Sequence, residues 1–230
     1  MNGKRERYRR IVWLILEVLI AVGVLIVWLS MFSQRRGNGL FSSRGITSLR
    51  YYTVLSNLVA CAGSACCVVS ALRWRRGEKP EKKVSRGVCR FRFVGTVMAA
   101  TTFLTVLLFF FPIFGWNRLY SGANFWFHLV FPIASAAGFF LMPGSRLTFR
   151  DTLLPILPVM VYAAFYSINI LINGRGQWPR TNDWYGFLTW GWGVGWGIFA
   201  GIAAATWIAA LLLYRMKKRF GGTRKNEERL

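Results

Sequence analysis

IVWLILEVLIAVGVLIVWLSMF, residues 11–32, is a run of 22 positions in which Glu17 is the only ionisable side chain. A helix rises 1.5 Å per residue, so this stretch alone is long enough to cross the hydrocarbon core of a bilayer. A secretory signal has an apolar region of only about 7 to 15 residues and ends on an Ala-x-Ala-like site. This run is longer and has no such end, so it reads as the first of a series of spanning helices.

Five more runs of the same kind follow at 51–73, 92–114, 124–142, 152–172 and 187–214. With 54% hydrophobic residues in 230, the chain reads as an all-α, polytopic integral membrane protein: one transmembrane domain forming a six-helix bundle. No soluble domain fits between the runs. The stretch 73–92, RWRRGEKPEKKVSRGVCRFR, reads as a solvated basic loop around 74–91, and residues 215–230 read as a solvated tail.

The net charge of +22 is unevenly placed. With the basic stretch taken as 73–92, alternate segments beginning with the N-terminus carry 23 of the 30 Lys and Arg residues, against 7 on the others. The positive-inside rule then puts both termini, the 74–91 loop and the tail in the cytoplasm, in a multi-pass protein of the cell (inner or plasma) membrane. The partners implied by this charge are the bilayer and anionic headgroups at the cytoplasmic loops, rather than nucleic acid. Cys61, Cys66 and Cys67 fall in the second run and Cys89 in the basic loop. They offer neither an extracytoplasmic disulfide pair nor a metal-ligand spacing, and no cofactor is implied.

The sixth run opens WGWGVGWG, and Gly193, Gly197 and Gly201 suggest a small-residue face for close helix packing. Trp184, Tyr185, Trp190, Trp192 and Trp196 suit an interfacial aromatic belt.

Polar residues inside the runs are the places to look for function. Glu17 sits about 9 Å from one end of its helix; it reads either as a proton carrier or as the partner of a hydroxyl or arginine on a neighbouring helix. His128 is the only histidine and lies about 6 Å below the opposite surface. Pro132 follows it at i+4 and cannot donate to the His128 carbonyl, so a kink is expected there. Thr53 reaches a similar depth on the second helix. Its face continues through Asn57, Ala60, Ser64, Cys67 and Ala71, and turns inward. Tyr162, Tyr166, Asn169 and Asn173 share a face at the same level, and the loop NGRGQWPRTNDW, 173–184, can close over it. A hydroxyl beside an imidazole is a nucleophile beside a base, and amide or hydroxyl donors such as Asn57 or Asn169 would hold an oxyanion. The bland alternative is that Thr53 bonds its own helix and His128 satisfies a core hydrogen bond.

Three stretches, YYTVLSN (51–57), FWFHLVFP (125–132) and INILINGRGQWP (168–179), give the chain a resemblance to the six-helix androgen-induced membrane proteins and their bacterial relatives. The resemblance covers the second to sixth helices, although the residues after Thr53 depart from the animal pattern and follow the bacterial branch. It implies an intramembrane threonine hydrolase acting on fatty-acid esters of hydroxy fatty acids, with Thr53 as nucleophile and His128 as general base. Asn57, Asn169, Tyr166 and Trp178 are the candidate substrate-binding or oxyanion residues, and Asp183 and Asn169 the candidates for orienting the imidazole. The rival expectations are a non-catalytic carrier or transporter of a small lipophilic molecule, in which His128 and Glu17 handle protons, and a structural membrane protein.

Overall fold

The computed structural model describes residues 2–33, 45–73, 84–144, 147–177 and 181–227. Six helices are long and apolar enough to cross a membrane. They are α1 (Asn2–Ser33), α2 (Tyr52–Leu72), α3 (Arg86–Leu119), α4 (Ala123–Leu141), α5 (Ile156–Asn173) and α6 (Trp192–Glu227). Among the described residues there is no strand.

The helices depart from the hydropathy-based limits where polar groups find partners inside the bundle. α3 begins at Arg86 rather than 92, with Ser85 accepting from the Val88 amide as its N-cap. Cys89 therefore lies on a helix and is buried, not in a loop. α6 continues through the expected tail to Glu227. One reason is Lys217, whose buried Nζ donates to the carbonyls of Phe139, Phe140 and Met142 at 2.8, 3.0 and 2.5 Å. The last turn of a helix leaves its carbonyls without partners, and a cation is the natural cap for them. Arg9, near the start of α1, also donates to Phe140 O, at 3.1 Å. The beginning of α1, the end of α4 and the late part of α6 thus share one end of the bundle, here the proximal end. At the start of α5, Asp151 caps a short 3-10 turn (Phe149–Leu153) and pairs with Arg90 of α3 at 2.7 Å.

α3 is central, packing against α2, α4 and α6. Its contact with α2 is close because Gly95 has no side chain: a Cβ there would stand 2.8 Å from Ala60 Cα. Hydroxyl pairs cross the interfaces, Ser56 to Thr102 at 2.8 Å and Thr101 to Thr206 at 3.1 Å. The expected inward stripe of α2 is buried at Asn57, Ala60, Ser64, Cys67 and Ala71, with Thr53 half-buried. The expected glycine face of α6 is not a packing face among the described residues, where nothing lies within 4 Å of a Cβ built at Gly193, Gly197 or Gly201. The packed position is Gly195, where Phe187 and Leu188 occupy the space.

In the proximal half, Glu17 of α1 and Arg92 of α3 form a fully buried ion pair, Nε to Oε2 2.9 Å. Trp13 Nε1 donates to the other carboxylate oxygen at 3.0 Å. The remaining guanidinium nitrogens donate to the Thr96 and Ser135 hydroxyls at 2.6 and 2.8 Å and to Ser135 O at 3.1 Å. α1, α3 and α4 are joined through one polar cluster. Glu17 therefore follows the neighbouring-arginine alternative. Removing one member strands the other charge in an apolar interior, which costs about 3–5 kcal/mol, whereas replacing both with well-packed apolar residues is often neutral. Arg92→Met should lower stability by about that amount, read by thermal unfolding in micelles, and the double change Glu17→Leu/Arg92→Met should restore most of it.

Candidate functional site

At the distal end, α3 and α4 are both interrupted by π-turns ending in Phe-Pro. In α3 the turn is Val106–Phe110 before Phe111 and Pro112, and in α4 it is Trp126–Val130 before Phe131 and Pro132. The Phe131 amide donates to Trp126 O, five residues back. In that register Pro132, which has no amide hydrogen, stands opposite Phe127 rather than His128. The orphaned carbonyl is thus Phe127 O, not the expected His128 O. Asn57 supplies the missing donor: its Nδ2 bonds Phe127 O at 3.1 Å and Thr53 O at 2.8 Å. Both acceptors are carbonyls, so both amide hydrogens of Asn57 are spent. The residue pins α2 to the π-turn of α4, and in this structure its amide hydrogens point at backbone carbonyls rather than into the pocket.

His128 is buried, and its Nδ1 is 2.7 Å from Leu119 O. A carbonyl only accepts, so Nδ1 carries the proton and Nε2 holds the lone pair. Leu119 presents this oxygen because α3 stops there. Gly115, at φ 70°, breaks the helical path, and the chain turns into α4 with no following turn to use the carbonyl. The group that orients the imidazole is therefore a backbone carbonyl, in place of Asp183 or Asn169.

Thr53 and His128 line one pocket, together with Tyr51, Leu119, Asn124, Phe127 and Tyr185. A second pocket borders Thr53 as well, against Thr101, Thr102, Thr105, Tyr162, Phe199 and Ile202. Four residues border both: Thr53, Val106, Phe110 and Tyr185.

Tyr185 comes from the α5–α6 connection, which folds over this end. Asp183 is buried and accepts from the Tyr166 hydroxyl, from Arg175 Nε and Nη2 at 3.3 Å each, and from the Leu188 amide at 3.2 Å. That anchor turns Trp184 and Tyr185 inward. Trp184 Nε1 donates to Tyr162 Oη at 3.0 Å, and Tyr162 in turn donates to Arg50 O at 2.7 Å. The Tyr185 ring stacks on Phe187 at 5.0 Å and packs edge-on against Tyr51 at 5.8 Å. Its phenol lies beside Thr53 and Tyr162, which line the same pocket. Burial raises its pKa above the ordinary tyrosine value, partly offset by these neighbours, so it keeps its proton at neutral pH.

The other expected residues are placed as follows. Tyr166 is buried, but its hydroxyl is committed to Asp183. Asn169 accepts from Asn173 at 3.0 Å and borders neither cavity. Trp178 lies outside the described residues. Trp184 and Tyr185 belong to the inward-folded cap rather than to an outer belt, while Trp190, Trp192 and Trp196 are exposed. Glu17 borders neither cavity. Among the described residues no cluster of His, Cys, Asp and Glu suits a metal, and the four cysteines form no disulfide.

No protein-family model, curated protein or solved structure matches this chain.

Because Asn57 satisfies two backbone carbonyls, Asn57→Leu should cost about 1–3 kcal/mol by stranding Phe127 O. Its signature is faster amide exchange at 126–132, with the Arg92 region unchanged.

Proposed function

We propose that this chain is a multi-pass membrane protein with both termini in the cytoplasm, and that it hydrolyses fatty-acyl esters of lipids by a Thr53/His128 mechanism. The charge asymmetry supports the topology, as does the gathering of the α1 start and late α6 at one end of the bundle. The observation that carries the chemistry is the sharing of one cavity by Thr53 and a histidine whose Nδ1 proton is fixed on Leu119 O. An isolated threonine hydroxyl is a weak nucleophile, and a neutral imidazole with a free lone pair is the group that activates it. The resemblance of the three sequence stretches to androgen-induced membrane proteins points to the same pair.

In this mechanism His128 Nε2 takes the proton of Thr53 Oγ1 as the oxygen bonds to the ester carbonyl carbon. The tetrahedral intermediate collapses, the carbon–oxygen bond to the alcohol breaks, and His128 returns the proton to the leaving alkoxide. Water, activated by the same nitrogen, then cleaves the acyl-threonine. Two cavities meeting at Thr53 suit a substrate with apolar groups on both sides of the reacting carbonyl. The carrier reading needs His128 and Glu17 to exchange protons, and the commitment of Glu17 to Arg92 in the opposite half weighs against it.

The chain in lipid nanodiscs should be labelled by a fluorophosphonate probe, with the modified peptide containing Thr53. Thr53→Ala should abolish labelling, and His128→Ala should slow it by about 10²-fold or more. Undiminished labelling of Thr53→Ala removes that residue from the role.

A further inference from the structure

The pair of Thr53 and His128 lacks one component of acyl-transfer chemistry. Attack on an ester places a negative charge on the carbonyl oxygen, and in an apolar site that charge needs a hydrogen-bond donor already in position. Asn57 cannot serve, since both its amide hydrogens are held by backbone carbonyls. Tyr166 cannot serve, since its hydroxyl is held by Asp183.

We infer that Tyr185 is a catalytic residue whose phenol donates the hydrogen bond that stabilises the oxyanion formed when Thr53 attacks. The inference rests on the threonine-hydrolase reading above. Of the four residues bordering both cavities, Val106 and Phe110 are apolar and Thr53 is the nucleophile, so Tyr185 is the one donor that faces both sides of the reacting centre. Its phenol stands beside the Thr53 hydroxyl. In the tetrahedral intermediate the oxyanion is two bonds from that same Thr53 oxygen, so a group within reach of one is within reach of the other.

The phenol has a single proton, and the neighbouring groups determine where it goes. Tyr162 spends its own proton on Arg50 O and receives another from Trp184 Nε1, so towards Tyr185 it offers only a lone pair. In the resting site the Tyr185 proton thus has two neutral acceptors, the oxygens of Tyr162 and Thr53. A hydrogen bond to an anion is roughly twice as strong as one to a neutral oxygen. The proton therefore turns to the oxyanion once the charge develops, and returns to a neutral partner when the intermediate collapses. No proton leaves Tyr185 in the cycle.

The placement is rigid, as preorganised stabilisation requires. The ring is stacked on Phe187 and Phe110, at 5.0 and 6.0 Å between centroids, and the adjoining backbone is tied to α5 through Asp183 and Tyr166.

Tyr185→Phe keeps the ring and removes only the hydroxyl. With full-length protein in nanodiscs and 4-nitrophenyl decanoate as substrate, we expect kcat to fall by about 10²-fold. KM and Tm should stay at the wild-type values, and the rate of fluorophosphonate labelling should fall in parallel with kcat. Unchanged kcat in Tyr185→Phe, with hydrolysis abolished in Thr53→Ala, overturns the role of Tyr185 alone. A loss confined to KM, or one matched by a fall in Tm, also overturns it, because it marks Tyr185 as a packing residue. Hydrolysis that persists in Thr53→Ala, or a wild-type protein that is neither labelled nor active, overturns the threonine-hydrolase reading and this inference with it.

Discussion

A guanidinium and a carboxylate taken out of water must find each other and must also satisfy the hydrogen-bonding groups that the pair itself leaves over. Glu17 and Arg92 meet that demand with Trp13, Thr96 and Ser135. The requirement is geometric, because three helices must be held at the one separation and rotation that closes every bond. An unpaired charge is the costliest error such an interior can contain, so this cluster sets the register of α1, α3 and α4. Those rotations in turn place the distal residues of α3 and α4 relative to α2.

The two halves of the bundle divide the work. The proximal half is closed by the buried ion pair and by the cations that cap the end of α4, and its apolar core is continuous around Trp13, Phe93 and Phe139. The distal half holds both cavities, both π-turns and the inward-folded connection. A π-turn adds a residue to a helix and shifts its hydrogen-bond register, which frees backbone groups and re-aims side chains. Here one such turn carries His128 and the other carries Val106 and Phe110 on the cavity walls. Asn57 prevents the irregular backbone from leaving a buried carbonyl without a donor.

The six helices were legible in the sequence because hydropathy averages over about 20 residues and tolerates local exceptions. Arg92 fell at the very edge of the third run, next to the basic loop, because its neighbours in sequence are charged. Its depth depends on α3 starting six residues earlier, on the Ser85 cap, and that capping position is the signal that could have found it. The juxtaposition of Thr53 and His128 at one level was legible from helix rise and direction. Asn57 was legible as an inward-facing polar residue, but its bond to Phe127 O was not, since it depends on a shift from four-residue to five-residue bonding that the spacing of Pro132 does not reveal. Tyr185 was grouped with surface aromatics because a loop residue carries no periodicity. Only the tie between Asp183 and Tyr166, 17 positions apart, turns it inward.

Lys217 completes α4 from a point 75 residues further along the chain than Met142. During synthesis α4 is therefore complete well before the cation that satisfies its last carbonyls has been made. Until α6 docks, those carbonyls need other donors. Tight closure of the bundle is thus a late step in folding, and the order in which the helices are made is not the order in which they become locked.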